Sequence, residues 1–520
     1  MKQQGGQMSN YTDPTERAVK SPHETAYLVW QDNRMSCWPA EQLAHLPAGA
    51  QVYAVPPVFP EWLGDAGFRA AHGLRFAYVV GAMARGITTV EMVIEAARAG
   101  AIGFFGSAGL KRDEIDAAIT RIAGELDPEG LAWGANIIHT PQEPGHEAGV
   151  VDVFLARGVR RASASAYLRL SPEIVRYTAA GLSRADDGTI RRANHVFAKV
   201  SRAEVAAQFM APAPERILRE LVAAGRLSDA QAELAAEVPV AAEITAESDS
   251  GGHTDNRPAA PLFGSLAGAR RDICARHGWT EDTIRIGLAG GIATPTGVAA
   301  AFQMGAAYVL TGSINQACVE SGLSLAGREM LATAGPADVM MAPAADMFEQ
   351  GIRVQVLKRG TLFAPRGEKL YAMYRAGATL ETLQSKDIEW LEGLLGESLP
   401  EAWQATCEFL AARAPETLKQ AERDPVKQFA LICRRYLFQG AQWAREGETR
   451  RKSDFQIWCG PAMGAFNSWA SGGPLEPIEN RRVGNIAHKL MEGGAILTRA
   501  AQLRSMGLAV PAALFNVSAI

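Results

Sequence analysis

The chain is poor in cysteine and has none of it in pairs: Cys37, Cys274, Cys318, Cys407, Cys433 and Cys459 form no Cys-x-x-Cys element. Scattered single cysteines argue against a zinc ribbon, an iron–sulfur cluster or a disulfide framework, and make a reducing cytoplasm the expected setting. No His-Glu-x-x-His or paired-carboxylate metal motif occurs, and His72, His139, His146 and His195 lack ligand spacing, so no metal is expected. No run of about 18 apolar residues exists, and the opening MKQQGGQMSNYTDPTER has no apolar core of a signal peptide; neither a membrane span nor that export route is expected. Excess charge of one sign is missing as well. With 52 basic and 56 acidic residues the net charge is −4, which gives no global field for nucleic acid. The basic clusters at Arg157–Arg161 and Arg450–Lys452 are short and read as solvated faces. A Gly-x-Gly-x-x-Gly fingerprint after a strand is also absent, so no dinucleotide-binding domain of that type is expected.

What is present is a chain of 520 residues, 48% hydrophobic and 21% charged, enough for a large core and more than one structural region. Its most informative stretch runs from Ile284 to Gln316. Two short apolar strands there end in glycine turns, Gly290-Gly291-Ile292 and Thr311-Gly312-Ser313, with a small-residue helix over Thr296–Met304 between them. Glycines at two adjacent strand exits bring backbone N–H groups to one end of a parallel sheet, where they can hold a phosphate. In a (β/α)8 barrel the last two βα loops form the usual phosphate site.

Counting back supports that architecture. Apolar runs at Phe76–Ala82, Ala101–Gly106, Ala132–Ile138, Arg161–Tyr167, His195–Val200, Val238–Thr245, Ile284–Gly290 and Tyr308–Thr311 make eight candidate strands separated by helical patterns. Helices are expected over Thr89–Ala99, with Thr88 or Thr89 as N-cap, over Lys111–Leu126 and Glu204–Met210, and in an excursion over Pro214–Glu237. The expected fold is α/β: a TIM barrel over 71–345, preceded by a small β-rich appendage over 1–70 whose first 20 or so residues read as disordered. A mainly helical C-terminal region over 346–520 follows, packing on the barrel as a cap.

Functional groups of a barrel sit at the C-terminal ends of its strands. Those ends offer Gly81, Ala82 and Met83 after the first strand, Asn136 and His139 at the third, Lys199 at the fifth, and Gly251-Gly252-His253 after the sixth. A planar flavin laid across the mouth needs close backbone approach, which Gly81–Met83 supplies, and polar partners, for which Asn136 and Lys199 qualify; a cation near the ring stabilises the reduced form. Each also has a plain structural reading: Asn136 ties down a loop, Lys199 pairs with a carboxylate, Met83 fills core. His253 follows two glycines that permit a tight turn and close ligand approach, so it either donates a proton over the ring or is a loop histidine.

Taken together, Ala82-Met83-Ala84-Arg85-Gly86-Ile87, Gly251-Gly252-His253, Gly290-Gly291-Ile292 and Thr311-Gly312-Ser313 resemble the FMN-dependent nitronate monooxygenase and enoyl-reductase superfamily. Ile102–Leu110, Ala246–Asn256, the opening segment and Phe455–Asn467 are similar to the PfaD-like trans-acting enoyl reductases of polyunsaturated fatty acid and trans-acyltransferase polyketide synthases. That resemblance implies FMN in the barrel, reduced by NADPH docking over the ring, and hydride transfer to the β-carbon of an enoyl thioester on an acyl carrier protein. It implies phosphate contacts from Gly290, Gly291, Gly312 and Ser313, ring contacts from Ala82, Met83, Asn136, Lys199 and Gly252, and catalytic roles for His253 and Lys199. Relatives commonly have Gly-Thr at the second phosphate turn, where this chain has Gly312-Ser313. Implied partners are a carrier protein and its synthase, with a homodimer as the ordinary assembly. Two other readings stand beside this one: a nitronate monooxygenase with the same cofactor, and a non-catalytic barrel serving as a synthase scaffold.

Overall fold

A computed structural model describes residues 13–140 and 144–519. Three antiparallel strands, β1 (Ala26–Gln31), β2 (Arg34–Trp38) and β3 (Gln51–Val55), form an N-terminal sheet in the order β2-β1-β3. Asp32 and Asn33, both in the left-handed region (φ 48° and 62°), make the tight turn between β1 and β2. Before the sheet, Pro14–Lys20 is a helix capped by Asp13 and started by proline at its first position. It replaces the disorder expected there; residues 1–12 of that expectation lie outside the described residues.

Eight parallel strands then close into a barrel. Four come first: β4 (Tyr78–Val80), β5 (Ile102–Phe105), β6 (Trp133–Ile138) and β7 (Arg161–Ser165). A small hairpin, β8 (Ser183–Arg184) and β9 (Ile190–Arg191), intervenes before β10 (His195–Val200) and β11 (Glu243–Glu247). A two-residue strand, β12 (Gly252–His253), leaves the barrel, and β13 (Arg285–Ala289) and β14 (Val309–Thr311) complete it, β14 pairing with β4. The sixth barrel strand starts at Glu243, five residues after the expected Val238. Val240 and Ala241 donate their amides to Ala211 and Phe209 of the preceding helical end, which holds them out of the sheet. The helix Val90–Arg98 is capped by the Thr89 hydroxyl, and the other expected helices form with ends shifted by one or two residues.

The barrel is closed at its N-terminal end. Phe68, from the helix Ala66–His72, enters between Phe197 and Tyr308 and stacks on Tyr308 with ring centroids 4.4 Å apart. Both Phe68 and Tyr308 are fully buried, so this end is solid core and only the opposite mouth is open.

After β14 the chain leaves the barrel for about 170 residues before its last long helix, Val483–Ser505, returns to it. That helix packs between the first and seventh barrel helices at small residues. A Cβ on Gly493 would stand 2.5 Å from Pro295, one on Gly494 2.8 Å from Val298, and one on Gly484 3.0 Å from Ala99. It occupies the place of the eighth barrel helix, so the outer ring is completed by residues 483–505.

The excursion between strand and helix is the cap. It contains β15 (Val339–Pro343) and β16 (Arg353–Leu357), which form an antiparallel sheet with β12, and five helices between Phe363 and Glu446 around a core of Phe363, Leu391, Phe429 and Tyr436. Because β12 belongs to the loop after β11, this sheet joins the barrel mouth to its roof. Among the described residues no helix is long and apolar enough to cross a membrane.

Candidate active site

The open end of the barrel and the underside of the cap enclose one cavity of about 1280 Å³. At the exit of β4 the Thr88 hydroxyl donates to the Gly81 carbonyl (2.9 Å) and accepts from the Met83 amide (2.8 Å), folding Gly81–Thr88 into a tight loop. Gly81 is pressed against β14, where a Cβ would meet Leu310 at 2.7 Å, and Gly106 leaves room for the Met83 carbonyl, 1.8 Å from where its Cβ would stand. Ala82 and Met83 are thereby fixed on the cavity wall.

The two late glycine turns are built differently. Gly290 and Gly291 are both left-handed (φ 83° and 73°), and Ser248, donating to the carbonyls of Ala289 (2.7 Å) and Gly290 (3.0 Å), fills the space a Cβ on Gly290 would need. By contrast, a Cβ on Gly291 or Gly312 would meet nothing within 4 Å. The two glycines lie at the exits of adjacent strands, β13 and β14, and both border the cavity, leaving an open cradle in its wall. The cradle lies beside the N-terminus of the helix Pro295–Gln303, capped by Thr294. Backbone amides and a helix N-terminus suit a phosphate, so these residues fit the phosphate end of FMN. The Ser313 hydroxyl is partly engaged elsewhere, accepting from the Gly460 amide at 3.0 Å.

Two charged pairs line the same cavity. Lys199 Nζ, at the end of β10, donates to Glu247 Oε1 at 2.7 Å, with the two side chains 15% and 19% exposed. His253 sits in β12 opposite Val354, and its Nε2 lies 3.2 Å from Asp346 Oδ1. These two side chains keep 37% and 41% of their surface accessible, because they are walled by protein yet border the cavity. Burial alone would lower the His253 pKa; the hydrogen bond and negative charge of Asp346 outweigh it and raise the pKa above its ordinary value. Gly252 is left-handed (φ 80°), whereas Gly251 serves packing: a Cβ there would fall 2.8–3.0 Å from the Cys459 backbone.

Ala82, Met83, Lys199, Gly252, His253, Gly290, Gly291, Gly312 and Ser313 therefore share one cavity. Asn136 is not on its wall. Its side-chain NH2 donates to Ser163 O (3.0 Å) and Ser165 Oγ (3.2 Å), and its backbone carbonyl accepts from the Ser107 hydroxyl, so it ties the exits of β5, β6 and β7 together. Two further wall residues had no role assigned from sequence: His139, although its strand-end position marked it, and Asp346, which no local motif announces.

At the opposite, closed end lies a charge cluster that the sequence did not reveal. Glu243, 1% exposed, accepts from His72 Nε2 (3.2 Å) and Arg285 Nη1 (3.0 Å), while Arg161 Nε donates to His72 Nδ1 (3.1 Å) and His195 Nδ1 stands 3.9 Å from Glu243 Oε2. His72, His195 and Glu243 are close enough to share a cation. Two guanidinium groups already occupy His72 and Glu243, however, so the cluster reads as a buried ion network. Burial would raise the Glu243 pKa, but His72, His195 and Arg285 hold it at about 2; burial pushes His195 down to about 4.

Residues 378–455 match a protein family described as the inserted helical domain of [acyl-carrier-protein] S-malonyltransferase. One of the polyunsaturated fatty acid synthase polypeptides of Thraustochytrium sp. is 40% identical over 465 residues, covering 88% of this chain and 31% of that protein. The polyketide biosynthesis protein PksE of Bacillus subtilis is 39% identical over 456 residues, covering 87% of this chain and 58% of that one. The chain thus spans between about a third and three-fifths of these relatives' length. The crystal structure of the enoyl reductase domain of MlnA, from the macrolactin biosynthesis cluster of Bacillus amyloliquefaciens, is similar with a TM-score of 0.81 at 36% identity, covering 86% of this chain and 99% of that domain. With a barrel and cap matched across that whole domain, the chain belongs to the PfaD-like family of trans-acting enoyl reductases of polyunsaturated fatty acid and trans-acyltransferase polyketide synthases.

Proposed function

We propose that the chain is an FMN-dependent enoyl reductase acting in polyketide or polyunsaturated fatty acid biosynthesis. Its substrate is an α,β-unsaturated thioester on an acyl carrier protein, and its reductant is NADPH. The observation that carries this reading is the single cavity in which the Gly291–Gly312 cradle, the Lys199–Glu247 pair and the His253–Asp346 pair meet beneath the cap.

Gly290, Gly291, Gly312 and Ser313 hold the phosphate, and Ala82, Met83, Gly252 and Lys199 border the ring; Asn136 acts one layer back by fixing three strand ends. FMN bound there supplies a two-electron carrier between NADPH and the thioester. Lys199 places a cation at the ring, oriented by Glu247. His253, whose Nε2 is held by Asp346, has Nδ1 as its remaining donor and delivers a proton to the substrate α-carbon. Its exposure lets it recover that proton from solvent. The cavity continues past the barrel mouth between the helices Leu399–Arg413 and Pro425–Glu446, where Phe409, Arg413, Leu431 and Phe438 form its wall. These residues lie inside the stretch that matches the malonyltransferase insert. A carrier-borne thioester needs such a passage, and a small nitronate does not.

The test is spectroscopic. The purified protein, reconstituted with FMN, should show flavin absorption bands, bleach anaerobically with NADPH, and recover them on addition of a crotonyl thioester. Failure to retain FMN would favour a scaffold, and fast NADPH turnover with a nitronate in air but not with the thioester would favour a monooxygenase.

A further inference from the structure

A second imidazole–carboxylate pair faces the cavity, and its surroundings differ from those of His253. His139 directly follows β6 and lines the cavity wall with its side chain 12% exposed. Its ring stacks on Tyr167 with centroids 4.9 Å apart and planes inclined by 18°, and its Nδ1 lies 3.0 Å from Glu147 Oε2. Glu147 is 3% exposed, and its other oxygen accepts from the Tyr167 hydroxyl at 2.8 Å and from the Ser171 hydroxyl. Burial would raise the Glu147 pKa, but its bonds to His139, Ser171 and Tyr167 outweigh this and hold the carboxyl below its ordinary range. An ionised carboxylate only accepts hydrogen bonds, so Nδ1 carries the proton shared with Glu147. Among the described residues nothing bonds to the other ring nitrogen, Nε2.

Reduction of an enoyl thioester asks two different things of its surroundings. When hydride forms the new C–H bond at the β-carbon, the electron pair of the C=C bond shifts toward the carbonyl and leaves an enolate with negative charge on oxygen. That oxygen needs a fixed donor in a dry site, and the donor keeps its proton throughout. The α-carbon needs an acid that gives up a proton as the carbonyl re-forms, then regains one from solvent. The solvent-accessible His253 suits the second task. A ring locked between Tyr167 and a buried carboxylate suits the first.

We propose that His139, positioned by Glu147, donates an Nε2–H hydrogen bond to the thioester carbonyl oxygen and stabilises the enolate. The ring bonds Glu147 through Nδ1 and substrate through Nε2; no proton is transferred from it, and the electrons come from NADPH. The inference rests on the enoyl-reductase reading above.

The experiment separates the two half-reactions in the FMN-loaded full chain and in the variants H139L, H139Q and E147Q. For H139L the rate of flavin reoxidation by crotonyl thioester should fall about 100-fold, the range for loss of one oxyanion donor. Its KM for the thioester, FMN content and rate of reduction by NADPH should stay at wild-type values, while the melting temperature falls because buried Glu147 loses a partner. H139Q, which keeps an N–H donor, should recover part of the loss, and E147Q should lower kcat with KM unchanged. Unaltered reoxidation in H139L would overturn the proposal, as would a loss matched by equal losses in FMN content or NADPH reduction, since that is the signature of a structural role. Wild-type protein that bleaches with NADPH but is not reoxidised by the thioester would overturn the enoyl-reductase reading itself.

Discussion

His253 Nε2 lies 3.2 Å from Asp346 Oδ1, and this contact joins the loop after the sixth barrel strand to the cap. It is reinforced by the backbone, since β12 pairs with β16, and by Gln355 Nε2, which donates to Asp249 Oδ1 at 2.7 Å and to Ser250 O at 2.8 Å. The cap thus fixes the imidazole as well as covering it.

The pH dependence of thioester reduction should follow from that pair. The Asp346 charge raises the His253 pKa, so the acid form persists to higher pH than in a free histidine. D346N removes the charge and keeps an acceptor. The alkaline fall of kcat/KM for the thioester should begin at lower pH in D346N than in wild type, while NADPH reduction of the flavin keeps its profile. Superimposable thioester profiles would remove Asp346 from the proton chemistry.

Gly312 offers a clean test of the phosphate cradle. A Cβ there meets nothing within 4 Å, and although its backbone (φ −134°, ψ −77°) lies outside the strand and helix regions, G312V adds bulk at a site free of side-chain clash. The added side chain projects into the cradle. FMN affinity should drop by tenfold or more, about 1.4 kcal/mol by the usual conversion, with the flavin-free protein still folded and melting cooperatively. The flavin-to-protein absorbance ratio after gel filtration reads the effect; full retention of FMN would place the phosphate elsewhere.

The barrel was legible in the sequence because its signals are local. Strands buried on both faces read as apolar runs, and the Gly290-Gly291 and Gly312 turns mark their own strand ends. What escaped depends on contacts distant in sequence. Asp346 reaches His253 across 93 residues, and Glu243 gathers His72 from 171 residues away. Val483–Ser505 takes the eighth barrel position only because Gly493 and Gly494 allow it against Pro295 and Val298, a fit that no periodicity announces. Asn136 shows the converse: strand-end position nominated it, but its side-chain NH2 is taken by the Ser163 carbonyl and the Ser165 hydroxyl of the neighbouring strand.

Arg499 anchors the N-terminal sheet. Fully buried on the returning helix, it donates to the carbonyls of Pro22 (2.8 Å), Glu24 (3.1 Å), Val55 (3.4 Å) and Pro56 (2.7 Å), with no carboxylate among these partners. R499M keeps much of the volume but removes these bonds; the Pro22 carbonyl keeps the Val58 amide, whereas those of Glu24 and Pro56 lose their donor, each costing about 1–3 kcal/mol when buried and unpaired. Stability to urea should fall by several kcal/mol. Limited proteolysis should cut first within residues 21–60, ahead of the barrel. Unchanged cleavage there would show that the sheet is held by its apolar contacts alone.

The cluster at the closed end of the barrel predicts acid sensitivity with two limbs. In the unfolded chain His195 takes up a proton near its ordinary value of 6.5, whereas in the folded chain it does so only near 4, so between those values the unfolded state binds more protons and stability falls as pH falls. Glu243 acts in the same direction lower down: unfolded it protonates near 4.5, folded only near 2. Melting temperature should therefore decline from pH 6.5 to 4 and continue to decline below. H195N, which cannot charge, should flatten the upper limb and leave the lower one, and an unchanged upper slope would assign it to other groups. E243Q should behave differently, because it leaves His72 and Arg285 facing a neutral amide in buried surroundings: it lowers stability already at neutral pH and removes the lower limb. Glu243 Oε2 and His195 Nδ1 carry no hydrogen bond, but the guanidinium groups of Arg285 and Arg161, bonded to Glu243 and His72, already place positive charge in the cluster and oppose a cation; neither a chelator nor added zinc should shift the wild-type melting temperature, and a rise with zinc would convert this ion network into a metal site.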